Sequence, residues 1–127
     1  MEFYFPTEFG EQLAFLAAAI SAVIGLVVMF APGLTFRLFS ERQDAVLPAP
    51  FVLVRSYGGM QFGLGVAPLI VAQSWTYIAV GTSFVASSLA ILLSIVFDKG
   101  ANLRNCLLMV VHIFLAALPL MYVFGLI

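Results

Sequence analysis

The chain has 127 residues, of which 64% are hydrophobic and 9% are charged, and its formal net charge is -1. Soluble domains have about a quarter of their residues charged, so this composition predicts an integral membrane protein forming a single domain. No basic soluble patch suggests a nucleic-acid partner. The single Cys106 excludes an internal disulfide framework.

We expect an all-α fold with four transmembrane helices, over residues 12–31, 50–72, 76–97 and 103–124. Each segment is long enough to cross a hydrocarbon core of about 30 Å at about 1.5 Å per residue. The first segment carries small residues at helical spacing, namely Ala14, Ala18, Ser21, Ala22 and Gly25. Ala31-Pro32-Gly33 predicts its end, and residues 34–39 predict a short amphipathic turn in the membrane interface.

The second segment contains a glycine-rich motif that begins at Arg55 and ends at Gly65. Gly59 and Gly63 have the small-xxx-small spacing that lets membrane helices approach closely. With Gly65, they are our predicted helix-packing residues. Arg55 and Gln61 need polar partners, because unpaired polar groups in hydrocarbon are costly.

The last two segments add further polar groups. We expect two antiparallel hairpins, and the short connection at residues 73–76 predicts the one between the second and third segments. His112, the single histidine, is at a depth similar to that of Gln61, so we expect these two side chains to form a hydrogen bond. Small residues share one face of the third segment, namely Ser83, Ser87, Ala90 and Ser94.

The distribution of charge predicts the orientation. All basic residues lie in or beside the first-to-second and third-to-fourth connections: Arg37, Arg42, Arg55, Lys99 and Arg104. The opposite side carries Glu2, Glu8 and Glu11 and no cation. The positive-inside rule therefore predicts that both termini lie outside, and the expected location is a bacterial inner membrane.

Two polar residues each allow two interpretations. Arg55 either faces the bundle as an anion or headgroup site, or extends to the interface and sets orientation, paired with Asp98. His112 either transfers a proton or binds a ligand, or it joins two helices by a hydrogen bond. A lone histidine without neighbouring cysteines or acids predicts no metal site and no haem. We find no catalytic constellation, and the sequence identifies no cofactor.

Three motifs together resemble a known family. They are Ala31-Pro32, Arg55-Ser56-Tyr57-Gly58-Gly59 continuing to Gly63-Leu64-Gly65, and Ser94 to Gly100 with Asp98 between them. The pattern resembles small four-helix bacterial membrane proteins grouped as domain of unknown function 4345, over nearly the whole chain. The resemblance implies a four-helix membrane fold and carries no assigned chemistry. Where that family often has an arginine and a glutamate, this chain has Ile91 and His112.

The sequence favours a non-enzymatic function, that of an accessory or structural subunit packing within a larger membrane complex. Its expected partners are membrane lipids and other membrane protein subunits. The alternative is a module that binds or transports a lipid or quinone in a pocket inside the bundle, lined by Gly58, Gln61, Ser87 and His112. A third interpretation is an enzyme acting on a lipid.

Overall fold

The fold is helical throughout the residues that the structure, a computed structural model, describes: 6–39, 48–97 and 103–127. The helices in these ranges are α1 (Phe9–Phe30), α2 (Pro32–Phe39), α3 (Pro48–Ile70), α4 (Ser74–Phe97) and α5 (Leu103–Val123). The described ranges contain no strand. The predicted all-α class is therefore confirmed, and the four long helices begin and end near the predicted bounds.

Three of these helices, α1, α4 and α5, are long and apolar enough to cross a membrane. Their outward side chains are apolar, and Leu93 and Phe114 are 57% and 63% exposed. An apolar outward surface on helices of this length is typical of a membrane protein. The helix α3 has 23 residues but does not reach the same apolarity, since glycines and polar residues interrupt it. The apolarity of the described helices thus supports three of the four predicted spans.

The break after α1 occurs where the sequence predicted it. The Ala31 backbone leaves the helical conformation, with φ -127° and ψ 61°. Pro32 then opens α2, where its missing N–H costs no helical hydrogen bond. The Thr35 hydroxyl donates to the Ala31 carbonyl at 3.3 Å and steadies this junction.

The helix α1 is the centre of the bundle, because its face of small residues is buried against its neighbours. The predicted face is confirmed: Ala14, Ala18, Ser21, Ala22 and Gly25 are all buried. Without bulky side chains between them, α1 and α3 pack backbone to backbone, and this is the most extensive helix contact in the described residues.

Gly58 and Gly65, and not the predicted Gly59–Gly63 pair, form the α3 side of this contact. A Cβ atom on Gly58 would lie 2.5 Å from the Met29 backbone nitrogen, and one on Gly65 would lie 2.5 Å from that of Ala22. A Cβ on Gly59 would meet the Met29 sulfur at 3.4 Å, and one on Gly63 would meet nothing within 4 Å. The predicted packing of Gly65 is thus on α1, whereas Gly59 and Gly63 lie outside the face that α3 turns to α1, so a packing role for these two stays a prediction.

The two helices joined by the shortest connection barely pack on each other. The Thr76 hydroxyl lies 2.6 Å from the Gln73 carbonyl and 3.0 Å from the Val71 carbonyl, which holds the turn between α3 and α4. Beyond this turn α3 packs against α1, whereas α4 packs against α5. The short connection predicted between spans two and three is therefore present, but the two helices make few contacts beyond it, because α3 lies along the small residues of α1.

A core of buried apolar side chains fills the space between α1, α4 and α5. Its buried members are Ala17, Val80, Phe84, Leu115 and Ala116. Nearer the Ser74 end of α4, Tyr77 packs with Ala14 and Ala18, and its ring meets that of Tyr122 edge to face at 5.5 Å between centroids. These contacts hold α4 and α5 against α1 and leave a gap between α4 and α3.

Candidate functional site

The gap between α3 and α4 is a cleft of about 430 Å³, with Ser21 of α1 also in its wall. This volume is in the range of pockets that hold small molecules. Its lining is mostly apolar with a few polar side chains: Ser21, Tyr57, Met60, Gln61, Leu64, Val80, Ser83, Phe84, Ala86, Ser87 and Ala90. Such a lining suits a ligand that has an apolar body and a small polar group.

Gln61 is the most enclosed polar side chain that α3 contributes to the cleft. It is 6% exposed, and its Nε2 donates to the Ser21 carbonyl at 3.4 Å. In return the Ser21 hydroxyl donates to the Gln61 carbonyl in a long contact of 3.5 Å. The predicted Gln61–His112 hydrogen bond is therefore wrong, because α3 directs Gln61 towards α1 and not towards α5.

His112 instead reaches Tyr57. The Tyr57 hydroxyl lies 3.3 Å from Nε2 of His112, and Nδ1 of His112 lies 2.8 Å from the Leu108 carbonyl one turn earlier in α5. A carbonyl oxygen only accepts hydrogen bonds, so Nδ1 carries the hydrogen. In the neutral ring Nε2 is then an acceptor, and the Tyr57 hydroxyl donates to it.

The histidine ring is also held from the side of α4. The rings of Phe84 and His112 have centroids 5.3 Å apart and planes inclined by 62°. His112 is 6% exposed and does not itself line the cleft, but it contacts two residues that do, Tyr57 and Phe84. It therefore acts on the cleft through the orientation of these two side chains.

Arg55 lies outside the cleft. Its guanidinium donates to the Met29 carbonyl at 2.9 Å, near the C-terminal end of α1 where carbonyls lack helical partners. A cation suits the negative end of a helix dipole. The Arg55 side chain thus caps α1, and its proposed partner Asp98 lies outside the described residues.

The structure brings together only part of the pocket predicted from the sequence. Gln61 and Ser87 line the cleft, whereas Gly58 has its Cα against the backbone of α1 and His112 lies behind the lining. Sequence analysis missed Tyr57. The signal was present, since Tyr57 and Gln61 are one helical turn apart and share a face of α3.

The serine face of α4 contributes to the opposite wall of the cleft. Ser83, Ser87 and Ala90 line it, as expected for residues that share one helical face. The Ser83 hydroxyl donates to the Ala79 carbonyl at 2.7 Å. No hydrogen bond joins the Ser87 hydroxyl to another residue in the described ranges.

Two other features of the described residues were considered as functional sites, and both have fewer polar groups available for a ligand than the cleft. A groove of about 440 Å³ between α4 and α5 is lined almost entirely by apolar side chains, and its one serine, Ser88, donates to the Phe84 carbonyl at 2.8 Å. Among the described residues no three His, Cys, Asp or Glu side chains come together as a metal site would require. The α3–α4 cleft is therefore the candidate site.

Comparison of the chain with protein-family models, with curated proteins and with solved structures finds no match. The resemblance to domain of unknown function 4345 stays a prediction. The chemistry of the candidate site is therefore argued from its own residues.

Proposed function

We propose that this chain is a four-span protein of a bacterial inner membrane, and that it binds a lipid-like or quinone-like molecule in the α3–α4 cleft. The cleft carries the proposal: it combines apolar walls with buried polar groups, a combination that is costly in hydrocarbon unless it is used. An apolar ligand with one polar end would cover both kinds of surface.

The length and packing of α3 support a fourth span. At about 1.5 Å per residue its length matches a hydrocarbon core of about 30 Å, and it lies along α1, which is itself long and apolar enough to span. The Arg55 guanidinium, bonded to the end of α1, then lies towards the side that the other cations share. With the positive-inside rule, this favours termini on the outside.

The experiment compares two alanine-to-phenylalanine variants. Ala90→Phe fills the cleft, whereas Ala117→Phe adds the same ring to the groove between α4 and α5. After mild detergent extraction, we expect mass spectrometry to find a small apolar compound in stoichiometric amount with wild type and Ala117→Phe, but not with Ala90→Phe. Equal retention by both variants, or no bound compound in wild type, would contradict the proposal.

A second candidate function, that of an accessory subunit in a larger membrane complex, is favoured by the outward position of Gly63. Gly63 is exposed, and a Cβ placed on it would meet nothing within 4 Å. With Gly59, one turn earlier, it has the spacing at which another membrane helix packs closely. A helix of a partner subunit could therefore rest on this face of α3.

The test of this second function is Gly63→Leu against the control Leu53→Val, which also changes an exposed position of α3. We expect Gly63→Leu to lose co-purifying subunits in a sizing experiment while its own thermal stability is unchanged. If Gly63→Leu keeps the same assembly as wild type and Leu53→Val, this face meets lipid and the accessory-subunit proposal fails.

A further inference from the structure

Two hydroxyl groups of the cleft, those of Tyr57 and Ser83, already donate their hydrogens within the protein. In the neutral His112 ring Nδ1 donates to the Leu108 carbonyl, so the Tyr57 hydroxyl donates to Nε2 at 3.3 Å. The Ser83 hydroxyl donates to the Ala79 carbonyl at 2.7 Å. A hydroxyl has one hydrogen and two lone pairs, so both oxygens meet a ligand as hydrogen-bond acceptors.

Gln61 adds another acceptor to the same wall. Its Nε2 donates to the Ser21 carbonyl at 3.4 Å, while Oε1 makes no hydrogen bond with a described residue. This oxygen belongs to a side chain that is only 6% exposed and that lines the cleft. The Oε1 atom keeps some exposed surface, so a ligand in the cleft that donates a hydrogen bond can reach it.

Pro68 leaves one carbonyl of α3 without its helical donor. Pro68 lies inside α3 and is buried. Because proline has no N–H, the carbonyl of Leu64, four residues earlier, lacks its usual helical donor. The donors left in the cleft wall are few: the second hydrogen of Gln61 Nε2 and the Ser87 hydroxyl.

The residues that line the cleft carry no formal charge. An ammonium group would therefore enter without a counter-ion, which is costly at membrane depth. We propose that the cleft selects a neutral ligand whose polar end donates a hydrogen bond: a hydroxyl-bearing lipid, such as an alcohol or a quinol, in preference to the matching ketone or quinone. This inference rests on the proposed binding function and names its ligand class.

The first experiment uses three probes that share one carbon chain: the secondary alcohol of undecane, the corresponding ketone and the methyl ether of the alcohol. Each is titrated calorimetrically into the full chain in lipid nanodiscs, and the signal from Ala90→Phe is subtracted to remove partition into lipid. We expect saturable binding of the alcohol, with the ketone and the ether about tenfold weaker, as the loss of one neutral hydrogen bond implies.

The outcomes separate the two proposals. If alcohol, ketone and ether bind equally tightly and in an Ala90-dependent way, the binding function stands and the selectivity for donors is overturned. If none of the three gives a signal that depends on the cleft, the binding function itself is overturned, and the selectivity with it.

A second measurement uses variants to place the selectivity in the cleft. Ser83→Ala removes one acceptor, and Thr82→Ala is its control, because the Thr82 hydroxyl also donates to a helix carbonyl, that of Ile78 at 2.8 Å, but does not line the cleft. We expect Ser83→Ala to weaken the alcohol severalfold and leave the ketone unchanged, while Thr82→Ala changes neither. Equal weakening of alcohol and ketone by Ser83→Ala would overturn the inference.

Discussion

The Tyr57 hydroxyl, 3.3 Å from Nε2 of His112, links α3 to α5 across the bundle. These two helices have no close backbone approach in the described residues, so long side chains make the link. Tyr57 lines the cleft and His112 lies behind it. The histidine therefore sets which way the tyrosine hydrogen points, and the tyrosine oxygen is left as an acceptor.

The first prediction concerns the tautomer of His112. Because the Leu108 carbonyl lies 2.8 Å from Nδ1, we expect the neutral ring to carry its hydrogen on Nδ1. Nitrogen NMR of the protein with labelled histidine measures this directly, since the chain has one histidine. A hydrogen found on Nε2 in the neutral ring would mean that Tyr57 accepts rather than donates, and the acceptor character of the cleft would be lost at that position.

The second prediction concerns the strength of the Tyr57–His112 bond. Hydrogen bonds between membrane helices contribute about 0.6 kcal/mol on average, so we expect a coupling of this order from a double-mutant cycle of Tyr57→Phe and His112→Leu. The measurement is reversible unfolding in detergent. His112→Gln, which keeps a donor and an acceptor, serves as the control and should cost less than His112→Leu. A coupling indistinguishable from zero would show that the bond does not hold α3 to α5.

The third prediction separates the glycines of α3. A Cβ on Gly65 would lie 2.5 Å from the Ala22 nitrogen, and backbone cannot move aside as a side chain does. We expect Gly65→Ala to lower the free energy of unfolding by about 1–3 kcal/mol, the usual cost of overpacking. Its matched control, Gly63→Ala, has open space and should be neutral or slightly stabilising, because alanine favours a helix. Equal effects of the two variants would contradict the packing of α3 on α1.

The fourth prediction concerns the cap that Arg55 places on α1. The guanidinium donates to the Met29 carbonyl at 2.9 Å, and the arginine is exposed. A cation at an exposed helix C-terminus contributes about 0.3–1 kcal/mol. Arg55→Gln should therefore lower thermal stability slightly, and Arg55→Lys should keep most of it. If Arg55→Gln instead abolishes ligand retention without changing stability, Arg55 belongs to a binding site and not to a cap.

The fifth prediction concerns orientation. With the cations on one side of the proposed bundle, a reporter fused after Ile127 should be periplasmic. Paired reporters, one active only in the cytoplasm and one only in the periplasm, provide the measurement. Cytoplasmic activity of the fusion would reverse the proposed topology, but it would leave the cleft and its chemistry unchanged.

The local sequence pattern was sufficient to predict where the helices lie. Long apolar runs between proline, glycine and polar breaks predicted the four long helices, and Ala31-Pro32 predicted the end of α1, because proline cannot continue the hydrogen bonding of the preceding turn. The small-residue face of α1 was also readable, since residues spaced by three and four lie on one side of a helix. These features depend only on neighbours in the sequence.

The partners of each face depended on the tertiary structure. Two glycine pairs of α3, Gly59 with Gly63 and Gly58 with Gly65, are both possible packing faces by spacing, and only the docking of α3 on α1 selects the second. The same orientation of α3 on α1 directs Gln61 towards Ser21 and places Tyr57 beside His112. Helix periodicity fixes which residues share a face, but not which neighbour that face meets. That choice is a property of the whole bundle, because it depends on how several faces pack at once.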